Sequence, residues 1–572
     1  MIFSQIYKIV NVFGTKEKKD LTFLFMLIFL SMFMEVFSIG LIIPVMMSIL
    51  NKDLASVFPF IHPILDFFGN PSQRNMIILT SLILVCFYFL KNMFLLFFLS
   101  VEGKCLSNID RIVKSKLFKL YISQKHYNSF KSNTSKFVSN ISQDCGIFNS
   151  AVRCFLVLTA EVFVALGILA LLTIIEPTMM LLNLFIVMVG MFFFNFFTKH
   201  KLERMSDERK KFTDNLFLTL NNSFNFIKEI NVFGKNLFFQ NLFDKDNNEI
   251  YKIAKNFHVY QGLPKIFYEA VGVLMLMTLI VIMALTFRSY DNMISFLAIA
   301  GASAFRLIPS ANRILTSLQY LGYAEKSTEL ISDEINKSEI EQTNSDKDFV
   351  FKKDIVFKNV SFKYDSRKNF ILKNINFSLK KPDKILIYGE TGVGKSTFIE
   401  ILLGLLKPTS GKVEVEEKDV NLNFKNWAKL IGYVPQKVSL VDGSILSNIA
   451  FGVNKSEINK KLLSNAIRVA ALDSFIRKLP SGLDTLVGES GSKLSGGQIQ
   501  RIGIARATYR NPEILIFDEA TNALDEETEN KVVSNILNNF KDKILVFISH
   551  NKNLSNEIEK KYKIENLNFV AI

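Results

Sequence analysis

Six long apolar runs constrain this 572-residue chain more than any other feature of its sequence. A helix needs roughly 20 apolar residues to cross the hydrocarbon core of a bilayer, and each run is close to that length. The runs are residues 21–41, 76–99, 155–175, 178–197, 267–287 and 293–315. The sequence therefore predicts an α-helical transmembrane domain with six spans. An even number of spans places both chain ends on the same side of the membrane.

The distribution of Lys and Arg predicts the orientation of these spans. Segments 101–150 and 199–265 are long and rich in basic residues, whereas 51–74, 176–177 and 288–292 contain few. Because cytoplasmic loops carry an excess of Lys and Arg, we expect the first two segments and both termini to be cytoplasmic. The same loops account for much of the net charge of +15. The basic composition therefore gives no reason to expect nucleic-acid binding.

The sequence changes character after residue 325. Residues 326–352 are polar and charged, which predicts the end of a helix followed by a linker. Beyond them, short β-rich runs alternate with helical stretches, as in an α/β domain. We therefore expect three parts. They are a transmembrane domain over 1–325 with long cytoplasmic extensions of its helices, a linker over 326–352, and a nucleotide-binding domain over 353–572.

Residues 389–396, Gly-Glu-Thr-Gly-Val-Gly-Lys-Ser, match the phosphate-loop pattern G-x-x-x-x-G-K-[ST] and lie between an apolar strand and a predicted helix. Glycines in such a loop let backbone N–H groups close around phosphates. Lys395 would neutralise the β and γ phosphates, and the Ser396 hydroxyl would coordinate Mg²⁺. The residues predicted to bind ATP here are Gly389, Glu390, Thr391, Gly392, Val393, Gly394, Lys395, Ser396 and Thr397.

A second nucleotide-site element is the apolar run 514–517, which is followed by Asp518 and Glu519. It predicts a buried strand that presents two carboxylates at its carboxyl end. Asp518 would hold Mg²⁺, and Glu519 would orient or polarise the attacking water. An apolar strand followed by two acids is common on its own. Its occurrence together with the phosphate loop predicts a nucleotide hydrolase.

Residues 494–498, Leu-Ser-Gly-Gly-Gln, resemble the signature motif of ABC transporter ATPases. Further matching residues follow the family's order over 353–550, and the six spans resemble an exporter-type half-transporter. The resemblance implies that Tyr364 stacks on adenine and that Gln436, Asp525 and His550 are the Q-loop glutamine, the D-loop aspartate and the switch histidine. The implied catalytic residues are Glu519, His550, Gln436 and Asp525. The implied magnesium contacts are Ser396, Gln436 and Asp518. The implied ATP contacts outside the phosphate loop are Tyr364, Leu494, Ser495, Gly496, Gly497 and Gln498.

The resemblance also implies a homodimer that uses ATP and Mg²⁺. In this family the signature motif contacts nucleotide held by the phosphate loop of the partner chain, so that one chain cannot complete a site. ATP would close the two ATPase domains and hydrolysis would release them. Residues 225–234 resemble a coupling helix, which would pass this motion to the spans.

Four basic residues lie in or next to the spans: Arg306, Arg313, Lys91 and Lys265. Charges within a membrane are costly, so that each is a candidate substrate contact. Arg306 and Arg313 are seven residues apart and share nearly the same helix face. Arginine can bind a phosphate or pyrophosphate group in a bidentate manner. For the two lysines, snorkelling toward lipid headgroups is an alternative role.

Residues 35–44, 264–272 and 306–317 resemble the lipid-linked oligosaccharide flippases of bacterial protein N-glycosylation. This resemblance implies a polyprenyl-diphosphate-linked oligosaccharide, moved from the cytoplasmic to the periplasmic leaflet of the bacterial inner (plasma) membrane. Those flippases have arginines at the positions of Lys91 and Lys265. Residues 57–68 would form an interfacial helix or a packed apolar loop. The alternatives are an exporter of other lipids, drugs or peptides, and an ATP-gated channel or regulator.

Overall fold

The computed structural model describes residues 2–49, 72–123, 134–175, 177–286, 290–341, 351, 354–364, 369–390, 392–421, 424–549, 557–565 and 567–572. The chain divides into two compact units, with the boundary near residue 342. The first unit is helical, and the second contains both β-sheets. The interfacial helix or loop predicted for 57–68 lies outside the described residues.

Each predicted span overlaps one long helix of the first unit. The helices are α1 (Thr15–Gly40), α2 (Gln73–Ser123), α3 (Cys145–Ile175), α4 (Pro177–Asn225), α5 (Asn236–Thr286) and α6 (Tyr290–Tyr323). Helices α2, α4 and α5 contain 51, 49 and 51 residues, more than twice the length that a bilayer requires. The helical extensions that the sequence predicts for the long basic segments are therefore present.

Three helices in the described part of the chain are long and apolar enough to cross a membrane by length and composition: Thr15–Gly40, Gln73–Ser123 and Thr134–Ala170. Many apolar side chains of the long helices face outward, including Phe89 and Leu96 on α2. Exposed apolar surface of this extent is unusual in a water-soluble protein and suits contact with lipid. Shorter helical segments are Ile2–Asn11, Ile42–Ile49, Ile227–Val232 and a π-helical turn at Asn140–Asp144.

The linker predicted over 326–352 differs from the structure in its first half. Helix α7 spans Glu325–Glu341 and packs within the first unit. Its buried side includes Ile331 and Ile335, which are four residues apart and therefore lie on one face of the helix. The charged residues of the opposite face dominate the composition, and for this reason the segment looks like a linker in the sequence. Residues 342–350 lie outside the described residues.

Ten strands are described in the second unit. They are β1 (Asp354–Phe362), β2 (Leu372–Lys380), β3 (Lys384–Tyr388), β4 (Ser410–Val415), β5 (Lys418–Asp419), β6 (Ile431–Val434), β7 (Ile514–Asp518), β8 (Ile544–Ile548), β9 (Lys560–Glu565) and β10 (Asn568–Ala571). One sheet has the order β2-β1-β4-β5, and its pairs are antiparallel. The other has the order β10-β9-β3-β8-β7-β6.

Parallel pairing joins β9, β3, β8, β7 and β6 in the second sheet. Its central strands are buried on both faces, because alternate residues of β3 and β8 enter two different hydrophobic cores. The first core centres on Trp427, Phe398 and Phe357. The second lies on the other face, where Phe517 and Phe547 stack with ring centroids 4.8 Å apart. This sheet is the rigid platform for the loops that follow its strands.

Helices surround this platform. They are α8 (Lys395–Leu402), α9 (Gly496–Tyr509) and α10 (Glu526–Asn539), together with the short segments Phe424–Lys429, Ile445–Ile449, Lys460–Val469 and Asp473–Arg477. At the amino end of β7, Glu513 accepts hydrogen bonds from Lys381 at 2.6 Å and from Lys543 at 2.7 Å. Burial alone raises the pKa of Glu513, but the two lysines outweigh it and hold the pKa below its ordinary value.

Candidate functional sites

The segments predicted to bind nucleotide follow adjacent parallel strands. Ile387 of β3 is in register with Ile548 of β8, and Ile548 is in register with Asp518 of β7. On the far side of β7, Val434 of β6 pairs with Phe517. Because parallel strands end at the same edge of a sheet, the segments that follow β3, β6 and β7 begin at one edge. Such an edge is the usual ligand position in an α/β fold.

The phosphate loop after β3 has the glycine geometry that its motif predicts. Gly394 has a φ of 111° and is the N-cap of α8. A Cβ atom at Gly394 would lie 3.1 Å from Ile371 Cγ2, and one at Gly389 would lie 2.9 Å from Val393 Cγ2. Both positions therefore need glycine. The loop ends at the amino terminus of α8, where free N–H groups favour an anion.

Lys395 lies inside this loop. Its ammonium group donates a hydrogen bond to the main-chain oxygen of Gly389 and lies 3.4 Å from that of Glu390. Ser396 is exposed at the start of α8, so that its hydroxyl is accessible to a ligand. The hydroxyl of the next residue, Thr397, lies 3.3 Å from Tyr364 Oη. The structure therefore brings Tyr364 beside the phosphate loop. Thr391 lies outside the described residues.

The two carboxylates at the end of β7 have different surroundings. Asp518 is largely buried, and this burial, reinforced by the neighbouring charge of Glu519, raises its pKa. Glu519 has a φ of 50°, in the left-handed region that non-glycine residues rarely adopt. Its Oε2 accepts hydrogen bonds from Gln436 Nε2 at 2.7 Å and from Asn522 Nδ2 at 3.0 Å. Two amides therefore fix the position of the Glu519 carboxylate.

The oxygen donors at this edge suit magnesium. Mg²⁺ prefers carboxylate, hydroxyl and phosphate oxygens and keeps several waters. Ser396 supplies a hydroxyl and Asp518 a carboxylate, while Gln436 binds Glu519 through its amide nitrogen and retains its amide oxygen. These are the three residues that the sequence predicts as magnesium contacts, and their chemistry fits the ion.

The signature segment begins α9 with a reciprocal cap. The backbone N–H of Gln498 donates to Ser495 Oγ at 3.3 Å, and Ser495 N–H donates to Gln498 Oε1 at 3.0 Å. A Cβ atom at Gly497 would lie 3.0 Å from the main-chain oxygen of Ala523, so glycine permits the close approach of the segment that precedes α10. Leu494 packs against the hydrophobic core, and Gly496 begins the helix. The exposed end of α9 presents N–H groups suited to a phosphate.

Sequence reasoning missed Gln500, which is buried on α9. Its amide nitrogen lies 3.3 Å from the main-chain oxygen of Glu519, and its amide oxygen accepts from Ala523 N–H at 3.1 Å. Gln500 therefore connects α9 to the end of β7 and the segment after it. A polar residue on the apolar side of α9 was the available signal.

Asp525 has a structural role in the single chain. It caps α10 by accepting a hydrogen bond from the backbone N–H of Thr528 at 2.9 Å, which lowers its pKa. This cap accounts for an aspartate at this position without any catalytic contact. The catalytic role of Asp525 stays a prediction. His550 lies outside the described residues.

In the first unit, Lys91 and Arg306 meet at one carboxylate. Glu35 Oε1 lies 2.8 Å from Arg306 Nε, and Glu35 Oε2 lies 3.4 Å from Lys91 Nζ. The ammonium of Lys91 also lies 4.4 Å from the ring centroid of Tyr88. Lys91 is only 7% exposed, and its ammonium group faces Glu35 inside the unit.

Arg313 forms a separate pair. Its Nη1 donates to Glu161 Oε1 at 2.6 Å, and Ser310 Oγ donates to Glu161 Oε2 at 2.7 Å. Lys265 is exposed on α5 and forms no ion pair with the described residues. The structure therefore places the four basic candidates in three different environments.

Glu35 and Glu161 were missed as functional candidates. Both lie within predicted spans, where a carboxylate is as unusual as an arginine. The rule that singled out Arg306 would have singled them out as well. The sequence alone cannot assign the pairs, because α1, α2, α3 and α6 must pack before these side chains meet.

Two family models match the chain. The model described as ABC transporter transmembrane region matches residues 41–302, and the model described as ABC transporter matches 372–522. The second match contains the phosphate loop, the signature and Glu519. The chain has the layout of an ABC exporter half-transporter. Its ATPase domain follows its membrane domain, as the sequence predicts.

Curated relatives match parts of this chain. The alpha-hemolysin translocation ATP-binding protein HlyB of Escherichia coli O157:H7 is 43% identical over 198 residues, which are 34% of this chain and 28% of that protein. The ATP-dependent permease MDL1 of Candida albicans is 34% identical over 277 residues, 46% of this chain and 38% of that protein. The chain spans less than half the length of the curated relatives it matches.

A solved structure of a bacterial Atm1-family ABC exporter with ATP bound matches the fold with a TM-score of 0.81. The match covers 96% of this chain and 95% of the other, at 18% sequence identity. It confirms the fold class of a helical transmembrane domain followed by an α/β ATPase domain. The relatives named above are not described as lipid-linked oligosaccharide flippases, and that closer resemblance stays a prediction.

Proposed function

We propose that this ABC half-transporter is an ATP-driven exporter that acts as a homodimer in a bacterial inner membrane. The observation that carries the proposal is the Glu519 carboxylate, held by two amides at the sheet edge that also bears the phosphate loop. A positioned carboxylate next to a phosphate cradle can orient and polarise a water for attack on a phosphoryl group.

Each residue of the nucleotide site has a definite task in this proposal. Lys395 and the N–H groups at the start of α8 bind the phosphates, and Tyr364 covers the adenine. Ser396, Asp518 and Gln436 hold Mg²⁺, which neutralises charge on the phosphates when bound. Glu519 orients the water, and His550 is the switch histidine that the family resemblance implies.

The position of the signature supports a homodimer. Its helix N-terminus offers N–H groups to an anion, and in the ABC family that anion is bound by the partner chain. Complementary defects test this directly. Lys395→Ala removes the phosphate-binding charge, and Ser495→Arg blocks the signature. A mixed dimer of the two variants retains one intact composite site, so the mixture should recover ATP hydrolysis that neither variant has alone.

The matched control for this mixture combines Lys395→Ala with Lys395→Met, since both chains then lack the same half-site. The control should remain inactive. Recovery equal to that of the complementary mixture, or no recovery in the complementary mixture, would contradict composite sites.

For the substrate, we propose a polyprenyl-diphosphate-linked oligosaccharide, flipped from the cytoplasmic to the periplasmic leaflet. The support is charge: Lys91, Arg306 and Arg313 pair with only two carboxylates, Glu35 and Glu161, so these five residues carry one excess positive charge. A diphosphate headgroup would compensate this surplus, and arginine suits it geometrically. The alternative function is transport of other lipids, drugs or peptides. In that case the three basic side chains would contribute only to packing within the unit.

ATPase stimulation in proteoliposomes separates these substrates. We expect polyprenyl-diphosphate glycan to stimulate wild-type hydrolysis and to lose its effect in Arg306→Ala plus Arg313→Ala. The control removes two exposed arginines elsewhere in the unit, Arg111→Ala plus Arg204→Ala. Equal stimulation by a neutral glycolipid, or stimulation that is indifferent to Arg306 and Arg313, would favour the alternative.

A further inference from the structure

Glu35 occupies the centre of a three-helix cluster that no predicted role explains. It comes from α1, Lys91 from α2 and Arg306 from α6. Glu35 is 8% exposed, and the Arg306 side chain is 21% exposed. Each oxygen of Glu35 faces a different cation, 2.8 Å from Arg306 and 3.4 Å from Lys91. One carboxylate therefore bridges two cations inside the unit.

The charges of this cluster do not balance, because two cations share one carboxylate. Removal of charge from water costs several kcal/mol per ion, and a buried cation without a partner is the least favourable case. The remaining positive charge therefore favours the binding of another anion next to Lys91 and Arg306.

The second pair on α6 provides the comparison. Glu161 balances the charge of Arg313, and the hydroxyl of Ser310 donates to its other oxygen. This pair is balanced in charge, and each oxygen of Glu161 accepts one hydrogen bond. Glu35, by contrast, holds both its cations by charge alone in a cluster that carries an excess of one.

We propose that Glu35 is an internal counter-ion that the phosphate headgroup of the substrate displaces from Lys91 and Arg306. This inference rests on the proposed function, because it requires a phosphate-headed substrate. The two oxygens of Glu35 lie where two phosphate oxygens would bind the same cations. A dianionic headgroup matches the two cations one for one, whereas the single carboxylate of Glu35 leaves one positive charge without a partner. After transport, Glu35 returns to the two cations and assists release of the headgroup.

This exchange gives Glu35 two opposite effects on transport. Competition from its carboxylate weakens headgroup binding, and its return to the cations speeds headgroup departure. Glu35→Gln removes the charge and keeps the size of the side chain. We therefore expect tighter substrate binding and slower turnover in this variant. A residue that served only packing would not change these two quantities in opposite directions.

The test measures ATP hydrolysis by the full-length protein in proteoliposomes against the concentration of polyprenyl diphosphate. Glu35→Gln should lower the half-stimulating concentration by about 5- to 150-fold, the usual range of coupling between two ligands, and should lower the maximal rate. Glu35→Asp keeps the charge but cannot reach both cations as well, and should shift the concentration less in the same direction.

Glu102→Gln is the matched control. Glu102 is also 8% exposed and lies on α2, and its substitution makes the same change of charge outside the cluster. Glu102→Gln should leave the half-stimulating concentration and the maximal rate unchanged. If wild type and Glu102→Gln are stimulated but Glu35→Gln has an equal or higher half-stimulating concentration, the inference is overturned and the proposed substrate stands. If polyprenyl diphosphate stimulates neither wild type nor Glu102→Gln, the proposed substrate and the inference both fail.

Discussion

Asp144 is the centre of a buried polar network in the first unit. It ends the π-helical turn Asn140–Asp144 and is 0% exposed. Its carboxylate accepts hydrogen bonds from Lys210 at 2.7 Å and from Ser327 at 2.5 Å, and lies 3.9 Å from Arg209 Nη1. These partners lie on α4 and α7, so that Asp144 ties three parts of the unit together. We expect Asp144→Asn to lower the free energy that local opening of this region requires.

The size of this destabilisation follows from the charges that remain after the substitution. Lys210 also binds Asp214 at 2.7 Å, and with Arg209 the wild-type network contains two cations and two carboxylates. Asp144→Asn leaves both cations against one carboxylate. Removal of one partner from a buried ion pair costs about 3–5 kcal/mol. Loss of one ordinary hydrogen bond would cost only about 1 kcal/mol.

Cys145 provides the assay, since it follows Asp144 in the chain and is 1% exposed. Its thiol reacts with a maleimide only when the region opens, so the labelling rate follows the local opening equilibrium. A cost of about 3–5 kcal/mol raises that rate roughly 100- to 5,000-fold, since 1.36 kcal/mol corresponds to a factor of ten. Ser107→Cys places an exposed thiol on α2 beyond the predicted span 76–99 and serves as the internal control in each sample.

A second substitution tests whether charge is the cause. Asp144→Asn combined with Lys210→Met leaves one cation, Arg209, and one carboxylate, Asp214, in the network, so that the numbers of opposite charges are equal again. We expect this double variant to label Cys145 more slowly than Asp144→Asn alone. A rate for Asp144→Asn within threefold of wild type, or a double variant that labels faster than the single one, would refute the reasoning.

Three further predictions concern the ATPase domain. Glu519→Gln should retain ATP binding and lower the rate of ATP hydrolysis by about 10²- to 10⁴-fold. The exposed control Glu527→Gln should hydrolyse ATP normally. Normal turnover in Glu519→Gln would disprove the catalytic role of Glu519. Gly394→Ala should weaken ATP binding, measured by equilibrium dialysis, because Cβ is disfavoured at a φ of 111°. Glu513→Gln should lower stability at neutral pH. Since the folded-state pKa of Glu513 is lowered, its stabilisation is present above the ordinary carboxylate pKa of about 4.3 and is lost as pH falls through the lowered pKa. The difference from wild type should therefore vanish in acid, as followed by the fluorescence of Trp427, the single tryptophan of the chain.

Local features of the sequence predicted most of the fold and the nucleotide site. The phosphate loop is a continuous motif whose glycines fix the backbone, and Glu519 directly follows an apolar strand, so both could be placed without tertiary contacts. The six spans were predictable because each is a continuous apolar run. The family match then confirmed the order of the two domains.

Features that depend on packing between distant segments could not be predicted. Charged residues dominate the composition of α7, so the sequence does not reveal the apolar face that packs within the first unit. Arg306 and Arg313 were expected to form one cationic face, but packing gives each a different carboxylate, Glu35 and Glu161. The role of Gln500 likewise requires α9 to lie against the end of β7.

We propose that ATP hydrolysis at Glu519 drives a phosphate-headed lipid across the membrane. Transbilayer movement of a fluorescent polyprenyl-diphosphate glycan in proteoliposomes, compared between wild type and Glu519→Gln, tests it most directly. We predict movement that requires ATP in wild type and is absent in Glu519→Gln. Movement of equal rate in both proteins, or ATP hydrolysis by wild type without any movement of the lipid, would contradict the claim.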